Sequence, residues 1–522
     1  MSIINRYFQT IRHLKAKQIY YRFYFFIISK IELTYQCKLK EKPQYINMQH
    51  FPNSHRSIIG RLNFEFLNQQ KVFPDRIDWN YSELGKLWTY HLNYFDFAHQ
   101  ENIDDQLIKV FINDYKVNYE SIKDGREPYP CSLRIINLVK FYSQYKNENI
   151  LIDEWIAEQA LSIKKRLEYH IMGNHLLENA FALIFAAYHL QDDEFWHSGQ
   201  KVLIEELEKQ ILKDGGHIER SPMYHSIILG RLLDTYNLMK QNPYFDSDRL
   251  KSQIKDAIER MLSWMFHMIQ GKDIMMLNDS FPNQAIDPYV IDDYAKSLGL
   301  TQQYLPLSDS GYIKLRSDHM TCLFDAGAIG PDYQPGHAHA DTLQFLLWMN
   351  HKEVITEAGT SVYINDEVRE YERSSAAHNT VVVNGINSSD VWSTFRVGRR
   401  ANVNVIKREN QLIEASHDGY HYLGAKHQRH IELVDDELLI YDTVITKRTV
   451  ECKAYLHFHP DESPKVVGAT IELKSCIISI EKSNSINLLK YHYSKGYNKR
   501  VIAIKAEIDF ASELLTIIKK RA

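Results

Sequence analysis

The apolar spacing of this chain changes once, near residues 305–311, and that change restricts the fold more than any other feature. From about residue 5 to 300, hydrophobic residues recur three and four apart, the spacing of amphipathic helices. Beyond the change they alternate every second residue, and Val, Ile, Thr and Tyr become frequent, as in half-buried strands. Helices are expected over Glu83–His99, Asp104–Tyr119, Ser132–Tyr145, Leu151–His170, His175–Leu190, Glu194–Leu212, Met223–Lys240 and Ser247–Gln270. Turns as short as Gln241-Asn242-Pro243 separate them, so neighbouring helices should pack as antiparallel pairs, and a stack of such pairs can curl into a ring. The sequence predicts two domains: 1–305, helical, with 1–50 as an N-terminal helical arm, and 306–522, an antiparallel β-sandwich. Its strands are expected at Tyr312–Leu315, Thr321–Asp325, Leu343–Met349, Glu353–Thr356, Thr380–Val383, Val403–Lys407, Ile431–Val434, Leu438–Val444, Lys453–His459 and Cys476–Glu481. Asn350-His351-Lys352 should turn a hairpin.

Composition narrows the function. A net charge of -4 argues against bulk nucleic-acid binding, and an acidic ligand would have to meet a local basic patch. Cys37, Cys131, Cys322, Cys452 and Cys476 are scattered, with no CxxC pair, which points to a reducing compartment rather than a disulfide framework. Tyr24-Phe25-Phe26-Ile27-Ile28 is too short to span a bilayer, and no small-residue cleavage site follows it. An amphipathic surface or docking helix is expected there, with Arg12, Lys15, Lys17 and Arg22 on its polar side. The expected location is cytoplasmic, with the periplasm or cell envelope as the alternative.

Three clusters carry chemistry. In Gly173-Asn174-His175-Leu176-Leu177-Glu178-Asn179, Asn174 and Glu178 share one helix face, although Asn174 alone would serve as a cap. In Asp214-Gly215-Gly216-His217-Ile218-Glu219-Arg220-Ser221-Pro222-Met223-Tyr224-His225, a loop feeds a helix, and the helix dipole is expected to lower the pKa of Tyr224. In Gly336-His337-Ala338-His339-Ala340-Asp341, the histidines open an apparent strand over Thr342–Asn350, so both should project from one face. Glu357 and His378 add the O and N donors that a divalent transition metal favours.

In this order and combination, with Ala377-His378-Asn379-Thr380 closing the set, the motifs resemble the heparinase II/III-like polysaccharide lyases. Phe73-Pro74-Asp75-Arg76-Ile77-Asp78-Trp79, Leu87-Trp88-Thr89-Tyr90-His91-Leu92-Asn93-Tyr94 and Pro130-Cys131-Ser132-Leu133-Arg134 resemble that family's helical part. The resemblance covers residues 70–430 and implies an incomplete (α/α) toroid followed by an antiparallel β-sandwich. It also implies β-elimination at a uronic acid of an acidic polysaccharide. Asn174, with His175, would neutralise the uronate, Tyr224 would be the acid/base, and His337 its partner base. His339, Glu357 and His378 would hold a structural zinc or similar divalent cation; the family usually has Asp where this chain has Glu357.

Glu178, Glu219, Arg134, Arg220, Arg373 and Arg396 complete the candidate substrate contacts, the arginines through bidentate bonds to carboxylate or sulfate. The expected ligand is an acidic polysaccharide or oligosaccharide, with the cell's own surface polymer favoured. Two rival readings use the same residues. A cupin-type metalloenzyme would explain His337, His339, Glu357 and His378 but not the helical half. A non-catalytic glycan-binding or assembly protein would share the scaffold, and intact Asn174, Tyr224 and His337 speak against it.

Overall fold

The computed structural model describes residues 3–28, 39, 43–44, 46–145 and 150–521. Every expected helical window contains a helix, among them Pro128–Tyr145, Gly173–Leu190, Asp193–Gln210, Pro222–Gln241 and Asp248–His267. Gly173–Leu190 is predominantly apolar and buried along almost its whole length, as a central helix must be. Pro128–Tyr145 and Asp193–Gln210 both pack against it. Asp193–Gln210 begins where the Asp192 side chain accepts from Glu194 N and Phe195 N.

The helical half departs from expectation in several places, among them a two-stranded sheet of Ile269–Gln270 and Asp273–Ile274 where the Ser247–Gln270 helix was expected to end. Ile58–Gly60, Asn63–Phe66 and Gln69–Val72 form a small antiparallel sheet. Asn63-Phe64-Glu65-Phe66 alternates polar and apolar residues, so local period two overrides the helical texture around it. A further helix, Pro288–Ser297, starts at the Asp287 cap.

Among the described residues, the C-terminal part forms a curled, 14-stranded antiparallel sheet. Along its main path lie Val403–Glu409, Leu412–His417, Ala425–Val434, Glu437–Thr446, Lys499–Lys520, Cys452–Phe458, Lys352–Thr356, Phe345–Met349, Met320–Asp325 and Tyr312–Arg316. Asn350 and His351, both at positive φ, turn the expected hairpin. The longest ribbon, Cys476–Gly496 with Lys499–Lys520, extends far past the expected Cys476–Glu481, and its second strand was not anticipated. Lys, Glu and Asp side chains punctuate that strand and break its alternation.

Trp264, Met268, Met275 and Leu277 from the helical half pack against Tyr312, Leu323, Leu346 and Trp348 from the sheet. This apolar seam fixes the two halves against each other and places the polar clusters at one boundary.

Candidate active site and metal cluster

Each cluster is positioned by a local device. Gly173 has φ +58°, and a Cβ there would collide with Glu219 Oε1. The missing side chain lets Glu219 reach the first turn of the central helix. Glu219 accepts from Asn174 N at 3.0 Å and from Asn174 Nδ2 at 3.1 and 2.9 Å. Burial opposes the charge of Glu219, but His217, His337 and the Asn174 donors hold its pKa below the ordinary value. One residue on, His175 Nδ1 lies 3.1 Å from Glu168 Oε1, and its ring packs on Tyr129 with centroids 4.3 Å apart. Burial works against its proton, and the Glu168 carboxylate raises its pKa nonetheless.

Tyr224 stands in the first turn of Pro222–Gln241, where Ser221 Oγ accepts from Tyr224 N at 3.2 Å and Pro222 opens the helix. The expected fall in its pKa does not occur. Burial raises it, reinforced by the Asp279 carboxylate, and these outweigh a helix dipole that acts only over the first turn. Tyr224 is therefore a neutral phenol. Its ring stacks on His337, with centroids 3.9 Å apart and planes 29° apart.

The segment carrying the histidines is also corrected. His337 and His339 lie on irregular backbone ahead of the strand, which begins at Phe345 rather than Thr342. They converge because both reach Asp279, a residue the sequence reading missed. Asp279 Oδ2 is 3.0 Å from His337 Nδ1, and Oδ1 is 3.0 Å from His339 Nε2. Arg369, from the short helix Glu367–Glu372, donates to Oδ1 at 2.5 Å and to Oδ2 at 2.7 Å. Asp279 is held well below the carboxylate range; burial opposes this, and Arg369 is the largest favourable cause. Asp279 engages His337 through Nδ1, so Nε2 is the nitrogen turned toward Glu219, whose Oε2 is 4.0 Å away, with the Tyr224 ring stacked alongside.

His339, Glu357 and His378 form a separate buried cluster, with one donor atom from each within 4.8 Å of the others. His378 Nδ1 is 3.1 Å from Glu357 Oε2. His339 Nδ1, Glu357 Oε1 and His378 Nε2 are buried without hydrogen-bond partners, which is the donor set that a divalent ion would satisfy. The longer Glu357 side chain still reaches the cluster.

Several expected substrate contacts are internal instead. Arg134 is fully buried and donates to Gln159 Oε1, Tyr115 Oη and the carbonyls of Asn93 and Gly125. Glu178 is buried against Arg231, with Nε 3.0 Å from Oε2. Arg373 donates to the carbonyls of Ala338, Ser393 and Thr394, and so braces the histidine loop. Glu219 faces Asn174 as described. Arg220, at φ 55°, donates to the carbonyls of Ala328 and Asp309. Arg396 alone is exposed, over the rings of Trp392 and Tyr7. Besides Asp279, the sequence reading missed Arg369, Glu168 and Tyr363, whose ring centroid is 6.4 Å from that of His337. None has a local signature; only the fold brings them to the site.

A helical N-terminal part, a curled antiparallel sheet and a cluster of Tyr224, His337, Glu219 and Asp279 side chains at their boundary define the class of architecture. Matches to known families agree with it. Residues 44–299 match the heparinase II/III N-terminus and residues 301–510 match the heparinase II/III-like C-terminal domain, so the chain belongs to the heparinase II/III-like family. It is 22% identical over 414 residues to a heparin-sulfate lyase of Bacteroides stercoris, spanning 72% of this chain and 59% of the relative. It is 25% identical over 376 residues to that of Pedobacter heparinus, spanning 65% and 55%. The chain thus spans less than two thirds of the length of these curated relatives. Among solved structures, a heparinase III superposes with TM-score 0.66 at 17% identity, covering 86% of this chain and 80% of that one. The heparan sulfate lyase HepC of Pedobacter heparinus gives 0.56 at 17% identity, covering 96% and 87%. At this identity the superpositions speak for the fold alone.

Proposed function

We propose that this chain is a polysaccharide lyase that cleaves an acidic, uronate-containing glycan by β-elimination, on an incomplete (α/α) toroid facing a β-sandwich. The observation that carries the reading is the stack of Tyr224 on an Asp279-oriented His337, one residue type from each half of the molecule. A proton next to a carboxylate is hard to remove because negative charge accumulates on the sugar acid. His175, whose proton the Glu168 carboxylate favours, and the Asn174 amide supply the hydrogen-bond donors that stabilise it. The substrate carboxylate takes over the amide donors that Glu219 holds in the free protein. His337 Nε2 then removes the C5 proton and the C4–O4 bond breaks as the C4–C5 double bond forms. The neutral Tyr224 hydroxyl donates its proton to the departing O4.

Where bound, a divalent metal would be held by His339, Glu357 and His378. Two imidazoles and a carboxylate suit zinc, and its contribution would be to cross-link the histidine loop to the neighbouring segments. The glycan we favour is the cell's own surface polysaccharide. Cys131, Cys322, Cys452 and Cys476 are all buried and unpaired, which suits a reducing compartment, and Cys37 lies outside the described residues. Incubation with a panel of uronate polysaccharides, followed by ultraviolet absorbance of the unsaturated product, tests the reaction class. Absence of any such product across the panel would leave the glycan-binding reading as the better one.

A further inference from the structure

The N-terminal arm consists of two helices, Ile3–Ile11 and Ala16–Ile28, and lies ahead of residue 44, where the family match begins. One side of it is pinned to the body. Arg6 donates to both Asp390 carboxylate oxygens at 3.1 and 2.9 Å, Gln18 Nε2 donates to the Tyr333 carbonyl at 3.0 Å, and Tyr24 Oη to the Lys165 carbonyl at 3.0 Å. With that side fixed, the other faces solvent, and it is apolar. Ile4, Phe8 and Ile11 follow the i, i+4, i+7 spacing of one helix face, and Tyr20, Phe23 and Ile27 the i, i+3, i+7 spacing of the next. The exposures of these six side chains are 79%, 61%, 51%, 64%, 67% and 59% in that order, and contiguous apolar exposure of this kind marks an interaction surface more than scattered surface leucines do.

Charge identifies what would cover them. Residues 3–28 contain Arg6, Arg12, Lys15, Lys17 and Arg22 and no Asp or Glu, in a chain whose net charge is -4. Arg12 and Arg22 are exposed, whereas the Lys15 and Lys17 ammonium groups rest over the Tyr333 and Tyr169 rings of the body, 3.5 and 3.4 Å from their centroids. Against a second copy of the same face, these cations would meet cations. An acidic glycan would pair with the cations and leave the apolar stripes wet. An anionic bilayer surface satisfies both, with phosphates for the cations and the acyl boundary for the stripes. No helix among the described residues is long and apolar enough to cross a membrane, so the arm would lie in the interface plane.

We propose that the N-terminal helix pair docks this protein on the surface of an anionic lipid bilayer. The inference does not depend on the lyase reading, and either can fail alone. The test is flotation of the full chain with vesicles of phosphatidylcholine alone or mixed with phosphatidylglycerol. The protein should float only with the mixed vesicles, and less as salt is added, because exposed charges are screened. Phe23→Asp with Ile27→Asp should abolish flotation at an unchanged melting temperature. Arg12→Gln with Arg22→Gln should weaken it about thirtyfold at low salt. The salt titration needs no variant and stands even if a substituted arm misfolds. No flotation of the wild-type chain, or flotation indifferent to salt and to lipid charge, would overturn the proposal. So would a concentration-dependent dimer, seen by light scattering, that the aspartate substitutions disperse.

Discussion

His337 and His339 stand two residues apart on the same loop and lean on the same carboxylate, yet their surroundings differ. Asp279 takes the Nδ1 side of His337 and the Nε2 side of His339, so the two rings offer opposite nitrogens to the rest of the molecule. His337 stacks its ring on Tyr224 at the boundary between the halves, with Nε2 turned away from Asp279. His339 is wholly buried, turned toward Glu357 and His378. One carboxylate thereby orients the proposed base, His337, and supports the buried His339–Glu357–His378 cluster from outside. The difference teaches that spacing alone does not assign a histidine; the nitrogen left free after its hydrogen bond does.

Substitutions that separate the two histidines sharpen this comparison. Tyr224→Phe, which removes only a hydroxyl beside His337, should lower kcat/KM by about 10²–10⁴ while far-UV circular dichroism and melting temperature stay unchanged. Asp279→Asn should strike both sides at once. It leaves the buried Arg369 without its countercharge, costing about 3–5 kcal/mol in chemical denaturation, and it lowers turnover and metal content together. His339→Ala should reduce bound metal, measured by elemental analysis, and cost about 1–3 kcal/mol through the buried groups it leaves unpaired. Turnover should then fall only with the folded, metal-bound fraction.

The smallest expected effect concerns pH. Glu168 is held below its ordinary 4.5 and His175 above its ordinary 6.5; burial opposes both shifts and their mutual attraction drives them. The glutamate's contribution to stability is present above 4.5 and is lost as pH falls through its depressed folded value. The histidine's is present below 6.5 and is lost as pH rises through its raised folded value. The pair thus stabilises most between those two ordinary values. In His175→Gln the alkaline decline of melting temperature should flatten; an unchanged profile would show that the pair is not coupled.

What the sequence made legible follows from the range of the forces involved. Helix windows and the hairpin at Asn350-His351 are local, written in periodicity and turn chemistry, and they were readable. Asn174, His175, Tyr224, His337, His339, Glu357 and His378 stood out because their residue types cluster in short motifs. Asp279 and Arg369 sit alone in unremarkable segments and acquire meaning only when the fold brings them to the histidines. Arg134, Arg373 and Glu178 misled for the converse reason. A charged side chain in a motif reads as a ligand contact, whereas burial beside carbonyls or an opposite charge turns it into internal bracing. The pKa of Tyr224 was misread because the dipole is visible in sequence and desolvation is not.

The division of labour between the two histidines is tested most directly by His337→Ala, assayed for unsaturated product and for bound metal in the same preparation. Loss of product with metal content and melting temperature at wild-type levels is the expected result. Undiminished product formation, or metal lost along with it, would contradict the assignment of His337 to the chemistry and of His339 to the buried cluster.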